Sequence, residues 1–457
     1  MNATERPDAN AFVPPQLPTD RATTVDVQSF IDERPLSATQ WLAVGLCFLI
    51  VFLDGLDTAA MGFVAPALAA AWGITRANLG GVMSAALAGL SIGALITGPL
   101  ADRFGRKTIL IASVLTFGLF SLLTAWADSM GTLITLRLLT GLGLGAAMPN
   151  ATTLTSEFSP RRRRSLLVTV MFCGFTLGSA AGGFIAAKLI PAFGWAAMFI
   201  LGGMAPLLLI PVLMLALPES PRFLAVRGQA DRVAKMLGRI AGTGPIAAER
   251  FVVPEHNVRH DGSMVANVLG RERIGGTLLL WVTYFMGLMV VYSLTSWLPT
   301  LLGEAGFSTG HAATVTALFQ MGGTVSAIGV GWAMDRFNPH GLIASFYALA
   351  GLSVFLTARS SGSVTVLGAM VLATGFFTSG AQTSMSALAA RFYPTQGRAT
   401  GVAWMLGIGR FGAILGAFSG AYLSSWGVER ILTALALPAL IAAATVTAKG
   451  LFTARDA

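Results

Sequence analysis

The chain has 457 residues, of which 54% are hydrophobic and only 11% are charged. A soluble chain of this length would carry about 25% charged residues, so the composition excludes an ordinary soluble protein and indicates a lipid environment. The net charge of +9 could suggest a nucleic-acid-binding protein, but the positions of the basic residues along the chain, described below, exclude that class.

The predicted elements begin with a polar, proline-rich N-terminal tail, residues 1–38. Twelve apolar stretches follow, each near the ~20 residues that an α-helix needs to cross about 30 Å of hydrocarbon. They lack the alternation of a β-barrel strand, so only helices can satisfy their backbone. We therefore predict an all-α polytopic membrane protein. Its twelve predicted spans lie near residues 41–66, 78–100, 108–127, 131–153, 165–188, 196–217, 274–300, 312–334, 341–358, 363–389, 399–424 and 431–451.

The spans fall into two sets of six. We predict one six-helix bundle at 39–217, a polar linker with little sustained periodicity at 218–273, a second bundle at 274–452, and a short tail at 453–457. By this assignment 24 of the 30 Lys and Arg residues lie on the side of the termini and linker, four on the other side and two inside spans. Cytoplasmic segments are enriched in Lys and Arg. We therefore expect both termini in the cytoplasm, a bacterial inner membrane, a lipid bilayer as surroundings and no nucleic-acid partner.

The two halves repeat each other. Asp102, Arg103 and Phe104 follow the second span, and Asp335, Arg336 and Phe337 follow the eighth, 233 residues later. Further matches occur at an offset of 234 residues: Pro160 and Pro394, Arg164 and Arg398, Met171 and Met405, Gly178 and Gly412, Gly182 and Gly416. A constant offset across separated landmarks indicates a duplicated six-helix unit.

Three motifs resemble those of the major facilitator superfamily. The segment 98–107, Gly-Pro-Leu-Ala-Asp-Arg-Phe-Gly-Arg-Lys, resembles the loop between its second and third helices, and the segment 335–337 is the degenerate second copy. Arg137, followed by glycines at 141, 143 and 145, is similar to the fourth-helix motif. The segment 218–222, Pro-Glu-Ser-Pro-Arg, resembles the end of the sixth helix in sugar porters and their relatives.

Within the superfamily, the first span is similar to that of the aromatic acid:proton symporters. The resemblance rests on Asp54-Gly-Leu-Asp57-Thr58, with Gly407-Ile-Gly-Arg410 in the eleventh span, and it covers residues 25–450. It implies a major facilitator fold of two pseudo-symmetric six-helix bundles. It also implies a proton-coupled symporter, not an enzyme, that imports an aromatic carboxylate of the hydroxybenzoate or protocatechuate class by alternating access. The proton would be the coupling ion, with no other cofactor, and the protein would act as a monomer.

Three charged residues in the outer halves of the spans are candidates for proton coupling. Asp54 and Asp57 are three residues apart on one helix, and a charge at membrane depth costs at least about 2.5–3.5 kcal/mol. Two neighbouring carboxylates in low dielectric do not both ionise easily, which suits a group that binds and releases a proton; Asp57 is the first choice. Arg137 lies at a similar depth, and we expect it to pair with an aspartate and to release it on protonation. The alternatives are a static ion pair and a fixed brace.

Arg410 lies near the middle of its span and is the candidate for the substrate carboxylate, because a guanidinium donates two parallel hydrogen bonds to a carboxylate. A purely structural contact with a neighbouring carbonyl is the alternative. Amides, hydroxyls and aromatic rings at depth could recognise a substituted ring, although each is often interhelical packing. The candidates for this recognition are Asn150, Gln320, Gln382, Tyr284, Ser296 and Trp404.

A charged cluster on the side of the termini is the candidate for gating. It would hold helix ends together in one conformation, with Asp102 accepting from the N-terminus of the eleventh span. Its predicted members are Asp102, Arg103, Arg106, Glu157, Asp335 and Arg336. The four histidines show no metal-ligand spacing, so we predict no metal site.

Three other functions remain open at this point. A symporter for sugars or aliphatic acids would share the superfamily motifs, but the two aspartates and Arg410 favour an anion coupled to protons. A drug–proton antiporter should carry a Gly-Pro-rich fifth span, and the segment 178–183 lacks the proline. A membrane enzyme or sensor would need a catalytic constellation or a sizeable soluble domain, and neither is evident.

Overall fold

The computed structural model of the protein describes residues 24–248, 250–253, 268–270, 273–360, 363–393, 397–423 and 425–455, with all their side chains except those of residues 335, 399 and 452–455. Residues 1–23 of the predicted tail and 254–267 of the predicted linker lie outside this part of the chain.

Twelve of the described helices are long and apolar enough to cross a membrane, as the sequence predicts. Two short elements, β1 (Thr24–Asp26) and α1 (Val27–Asp32), precede them. The first six long helices are α2 (Ala38–Trp72), α3 (Arg76–Phe104), α4 (Arg106–Thr124), α5 (Met130–Phe158), α6 (Arg164–Phe193) and α7 (Ala196–Ala216). The linker contributes α8 (Pro221–Val226), α9 (Ala230–Ala241) and β2 (Arg250–Val252). The second six long helices are α10 (Ile274–Glu304), α11 (Thr309–Arg336), α12 (Pro339–Thr357), α13 (Val364–Phe392), α14 (Arg398–Tyr422) and α15 (Val428–Arg455).

The described parts of the tail and linker contain secondary structure that the sequence does not predict. β1 pairs in parallel with β2, Val25 opposite Phe251, and the apolar face of α1 packs against α9 through residues such as Ile31 and Leu237. Apolar residues recur at helical spacing over only the 12 residues of α9. That length is marginal for an isolated helix, and the strand pairing joins segments more than 200 residues apart, so neither feature stands out in the sequence.

We call the membrane face at which α2 begins and α7 ends the linker side, and the opposite face the far side. The two six-helix halves contact each other mainly on the far side. There, one hydrophobic core joins Phe63 and Val82 of the first half to Trp297 and Phe319 of the second. An ion pair of 2.8 Å between Arg76 and Glu304 also links the two halves.

On the linker side the halves separate. From residue 95 to residue 100, no residue of α3 is buried on any face of the helix. In α11, Ile328 and Trp332 are 71% and 64% exposed. Helices that pack tightly near the far side therefore lose their partners near the linker side, and the cleft between the halves opens there.

Glycines allow the closest helix approaches inside each half. A Cβ added to Gly178 of α6 would lie 1.9 Å from the carbonyl oxygen of Phe52 on α2, and one added to Gly412 of α14 would lie 2.2 Å from the carbonyl oxygen of Phe285 on α10. Small residues let backbones meet in this way within a membrane. The same contact recurs in both halves, at the positions that the internal repeat relates.

We expect Gly178→Ala to destabilise the protein by about 1–3 kcal/mol, because α2 and α6 must separate to accommodate the new methyl group. Gly182→Ala, one turn along α6, is the matched control, since its added Cβ would lie 3.5 Å from the nearest heavy atom. Thermal unfolding of the purified variants in detergent measures the difference. Equal melting temperatures of the two variants would show that α2 and α6 can separate to accommodate the methyl group without a loss of stability.

Candidate functional site

A buried ion pair lies in the first half between α2 and α5. Asp57 and Arg137 are each 1% exposed, and Arg137 Nη1 lies 3.2 Å from Asp57 Oδ2. Neither charge has access to bulk water, so each depends on the other for compensation.

Neutral groups from the neighbouring helices complete the surroundings of this pair. The Ser121 hydroxyl on α4 donates to Asp57 Oδ1. Arg137 Nη2 donates to the hydroxyls of Thr124 and Thr140, both at 2.9 Å, and its guanidinium lies 4.6 Å from the centre of the Phe199 ring on α7. The pair therefore joins α2, α4, α5 and α7, and both residues also reach the wall of the central cavity.

Asp54 has a different environment. It is fully buried, its Oδ1 accepts from the Thr58 hydroxyl at 3.1 Å, and its Oδ2 has no hydrogen-bond partner among the described residues. Arg410 of the second half lies within electrostatic range of this carboxylate. Three residues turn a helix by about 300°, so the two aspartates diverge by about 60°: Asp57 points into its own half, and Asp54 lies within electrostatic range of the second half.

Arg410 on α14 lies beside two tyrosines of α10. Both tyrosines are close enough to Arg410 to interact with it electrostatically. Tyr284 also packs against α14, because a Cβ added to Gly409 would lie 2.2 Å from its ring. Arg410 thus lies beside two tyrosines of α10 and within electrostatic range of Asp54.

The central cavity lies between the halves, from α2, α3 and α5 to α10. Its wall combines hydroxyl groups, thioethers and apolar side chains with the Asp57–Arg137 pair. Its principal polar and sulfur-containing residues are Asp57, Arg137, Thr58, Thr295, Ser296, Tyr292, Met61 and Met83. It encloses about 20 Å³, which is room for one or two water molecules. An aromatic acid can occupy it only if the halves move.

The other predicted substrate residues differ in position. Gln320 on α11 donates to Thr295 at 3.3 Å and so contacts the cavity wall, and Ser296 is part of that wall. The structure does not place Asn150, Gln382 or Trp404 in this wall. Each has partners elsewhere. Asn150 donates to the Ala146 carbonyl on its own helix, and Trp404 packs against Trp281. Gln382 accepts from the Tyr347 hydroxyl and donates to the Tyr284 carbonyl.

Sequence analysis missed Thr58, Tyr292, Thr295 and Met83 as cavity residues. Hydroxyl-bearing and sulfur-containing side chains are common in membrane helices, so none is conspicuous. One signal was available: Tyr292 precedes Ser296 by four residues and follows Tyr284 by eight, which places all three on one face of α10.

The predicted gating cluster is held within the first half. Arg106 pairs with Asp102 at 2.7 Å and lies 3.9 Å from Glu157. Glu219 accepts from the backbone N–H groups of Arg106 and Lys107 at 3.0 and 3.2 Å. Asp102 is 72% exposed, which differs from the expectation that it lies beneath the N-terminus of α14.

Arg103 and Arg336, two further members of the predicted cluster, make other contacts. The Arg103 carbonyl accepts from Arg227 of the linker. In the second copy, Arg336 lies over the Trp332 ring at 5.5 Å, and the Asp335 side chain lies outside the described part of the chain. Across the described residues, no group of three or more His, Cys, Asp or Glu is arranged to hold a metal ion.

Comparison with known families gives a direct result. A model described as Major Facilitator Superfamily matches residues 47–373. The chain belongs to the major facilitator superfamily.

The 4-hydroxybenzoate transporter PcaK of Pseudomonas putida is 59% identical over 437 residues, which cover 95% of this chain and 98% of that protein. The gallate transporter of Pseudomonas putida is 51% identical, with 93% and 95% covered. These relatives place the chain among the aromatic acid:proton symporters of the superfamily, as the motifs predicted, and they are named as transporters, not enzymes.

Solved structures of the superfamily show the same fold. The inward open conformation of the xylose transporter XylE from E. coli has a TM-score of 0.69 at 16% identity and covers 89% of this chain and 95% of that one. A bacterial homolog to the human lysosomal transporter Spinster, in an inward-facing and occupied conformation, has a TM-score of 0.71 at 15% identity, with 90% and 97% covered. The prediction of twelve helices in a major facilitator fold is confirmed.

We expect Arg137→Met to destabilise the protein by about 3–5 kcal/mol, because it leaves the Asp57 carboxylate buried without a counter-charge. The double variant Asp57→Asn/Arg137→Met should be more stable than Arg137→Met alone. Thermal unfolding of wild type, both single variants and the double variant measures the coupling between the two residues. Additive effects of the two substitutions would show that the pair is not coupled.

Proposed function

We propose that the protein imports aromatic carboxylates of the hydroxybenzoate and protocatechuate class into a bacterial cytoplasm together with protons. The observation that carries the proposal is that Arg410 of one half lies within electrostatic range of Asp54 of the other, whose Oδ2 has no hydrogen-bond partner among the described residues. The identity with transporters named for 4-hydroxybenzoate and gallate supports the class of substrate. The charge asymmetry of the sequence supports a cytoplasmic linker side in the inner membrane. The proposal also takes the protein to act as a monomer.

The proposed coupling is a competition of two carboxylates for one guanidinium. With Asp54 ionised, Arg410 already has a counter-charge and attracts a substrate anion weakly. With Asp54 protonated, the positive charge of Arg410 is free for the substrate carboxylate, which it can bind through two parallel hydrogen bonds. A proton therefore promotes substrate binding, and its loss promotes release.

Charge balance explains why proton and substrate should cross together. The empty site holds Arg410 and ionised Asp54, and the loaded site holds Arg410, protonated Asp54 and the carboxylate, so both are neutral. With only the proton or only the substrate bound, the site would carry one net charge, which is costly at membrane depth. The two neutral states are thus the ones that can pass through the closed intermediate of alternating access.

The residues around Arg410 suit an aromatic acid. Tyr284 and Tyr292 offer ring faces and hydroxyl groups, and Thr58, Thr295 and Ser296 offer further hydroxyl groups in the adjoining cavity wall. Met61 and Met83 are polarisable side chains that adapt to a ring.

The Asp57–Arg137 pair, enclosed by α4 and α7, would either take part in the proton path or brace the first half.

In proteoliposomes we expect accumulation of labelled 4-hydroxybenzoate or protocatechuate driven by an inward proton gradient. Because the loaded and empty sites are both neutral, an imposed potassium diffusion potential alone should not drive accumulation. A panel of benzoates, aliphatic acids and sugars tests the substrate class. Gradient-driven accumulation of a sugar or an aliphatic acid, with no aromatic acid transported, would replace the proposal by the corresponding symporter.

Asp54→Asn should abolish accumulation driven by the proton gradient while leaving exchange of internal for external substrate measurable, because the uncharged amide resembles the protonated acid. Asp57→Asn is the comparison, since Asp57 is already paired. Uptake and exchange are measured at several pH values. Intact, pH-dependent accumulation in Asp54→Asn would exclude Asp54 as the proton carrier.

Arg410→Lys keeps the positive charge but loses the paired donors, so the apparent KM for substrate should rise about tenfold or more, the equivalent of one or two charge-assisted hydrogen bonds. Initial rates of uptake against substrate concentration measure it. An unchanged KM would show that Arg410 is a structural residue and does not touch the substrate.

A further inference from the structure

A second, larger cavity lies on the linker side of the first half, away from the central cavity. It encloses about 470 Å³ where α1, the end of α5, the start of α6 and α8 meet. Its polar lining residues are Gln28, Ser156, Glu157, Arg161, Arg164 and Arg222. The transport mechanism proposed above uses none of its three arginines.

The charges around this cavity do not balance. The Glu157 carboxylate accepts from the Ser220 hydroxyl and lies 3.9 Å from Arg106, and Arg161 pairs with Asp32 at 3.4 Å. Arg164 and Arg222 form no ion pair within 4.0 Å with the described residues. Arg222 is close enough to Glu157 to interact with it electrostatically, but three arginines and one carboxylate line the cavity, so its lining carries a net positive charge.

Two further observations indicate an anion. The Nε atom of Arg164 is buried and has no hydrogen-bond partner among the described residues, although a buried donor normally has one. The 30-residue helix α6 also begins here, at Arg164, and its N-cap residue Arg163 provides no side-chain acceptor for the first backbone N–H groups. Such a helix end favours a negative ligand.

We propose that this cavity binds the phosphate group of an anionic phospholipid. A phosphate offers several oxygens, enough for two guanidinium groups and a helix N-terminus together. Its depth fits a lipid headgroup, because the apolar helix α5 ends at Phe158 and the apolar helix α6 begins at Arg164. Beyond the cavity, Leu166 and Val170 are 61% and 40% exposed on one face of α6, a surface along which an acyl chain can pack.

Binding of phosphatidylglycerol to the delipidated, detergent-purified protein tests the proposal by native mass spectrometry, with phosphatidylcholine as the zwitterionic comparison. Phosphatidylglycerol should bind in preference to phosphatidylcholine. Arg164→Gln/Arg222→Gln should weaken its binding by at least about tenfold, since each guanidinium contributes charge-assisted hydrogen bonds. The readout is independent of transport, so its result does not depend on the proposed function.

Arg162→Gln/Arg163→Gln is the matched control. It removes the same number of positive charges beside Arg164 on the linker side, but neither residue lines the cavity, so binding should change less than twofold. Circular dichroism and gel filtration check that the variants fold. Arg164→Lys/Arg222→Lys keeps the charge without the paired donors and should bind with intermediate affinity.

Three outcomes would overturn the proposal. Equal weakening in the two glutamine pairs would indicate general surface attraction, and equal binding of the two lipids would exclude a headgroup site. Binding of inorganic phosphate without any preference for phosphatidylglycerol would assign the cavity to a soluble phosphate-bearing ligand. Displacement of bound phosphatidylglycerol by inorganic phosphate, but not by chloride at the same ionic strength, would support a shared phosphate-binding site.

Discussion

The arrangement of the first half depends on the compensation of charge at membrane depth. A buried aspartate and a buried arginine are tolerated there because their side chains meet and neutral hydroxyl groups provide further hydrogen bonds. Asp57 comes from α2, Arg137 from α5, the hydroxyl of Ser121 from α4 and the Phe199 ring from α7. These contacts fix the four helices relative to one another, and the glycine contacts between α2 and α6 keep the backbone of α2 close to its neighbour.

The same constraint acts differently between the halves. Asp54 lacks a partner for one oxygen among the described residues, and Arg410, which belongs to the other half, lies within electrostatic range of it. An ion pair inside one half holds that half together, whereas an electrostatic interaction between the halves changes when the halves move relative to each other. In the proposed coupling, substrate and proton act on this second interaction and so change the stability of one conformation relative to another.

Much of the fold could be predicted from the sequence. Apolar stretches gave the twelve helices, and a constant offset gave the duplication. Helix ends were less accurate, because hydropathy shows where lipid contact stops, whereas local capping decides where a helix stops. For example, Ser37 caps α2 through Gln40, so that helix begins before its apolar run. At its other end, Gly73 adopts a left-handed conformation and ends the helix after Trp72, six residues beyond the predicted span. The pairing of β1 with β2 was not predictable, because three-residue strands carry too little pattern.

Sequence alone determined which residues of this protein call for a functional explanation: Asp54, Asp57, Arg137 and Arg410 stand out because charges inside apolar spans are costly and rare. It placed the two aspartates at one depth and favoured Asp57 as the proton carrier, whereas the proposal drawn from the structure is Asp54. Only the tertiary structure decided that Asp57 pairs with Arg137, that Asp54 lies within electrostatic range of Arg410, and that the cleft opens on the linker side. The reason is geometric: sequence position fixes depth along a helix, but partners depend on the rotation of each helix about its axis, and packing with the neighbouring helices sets that rotation.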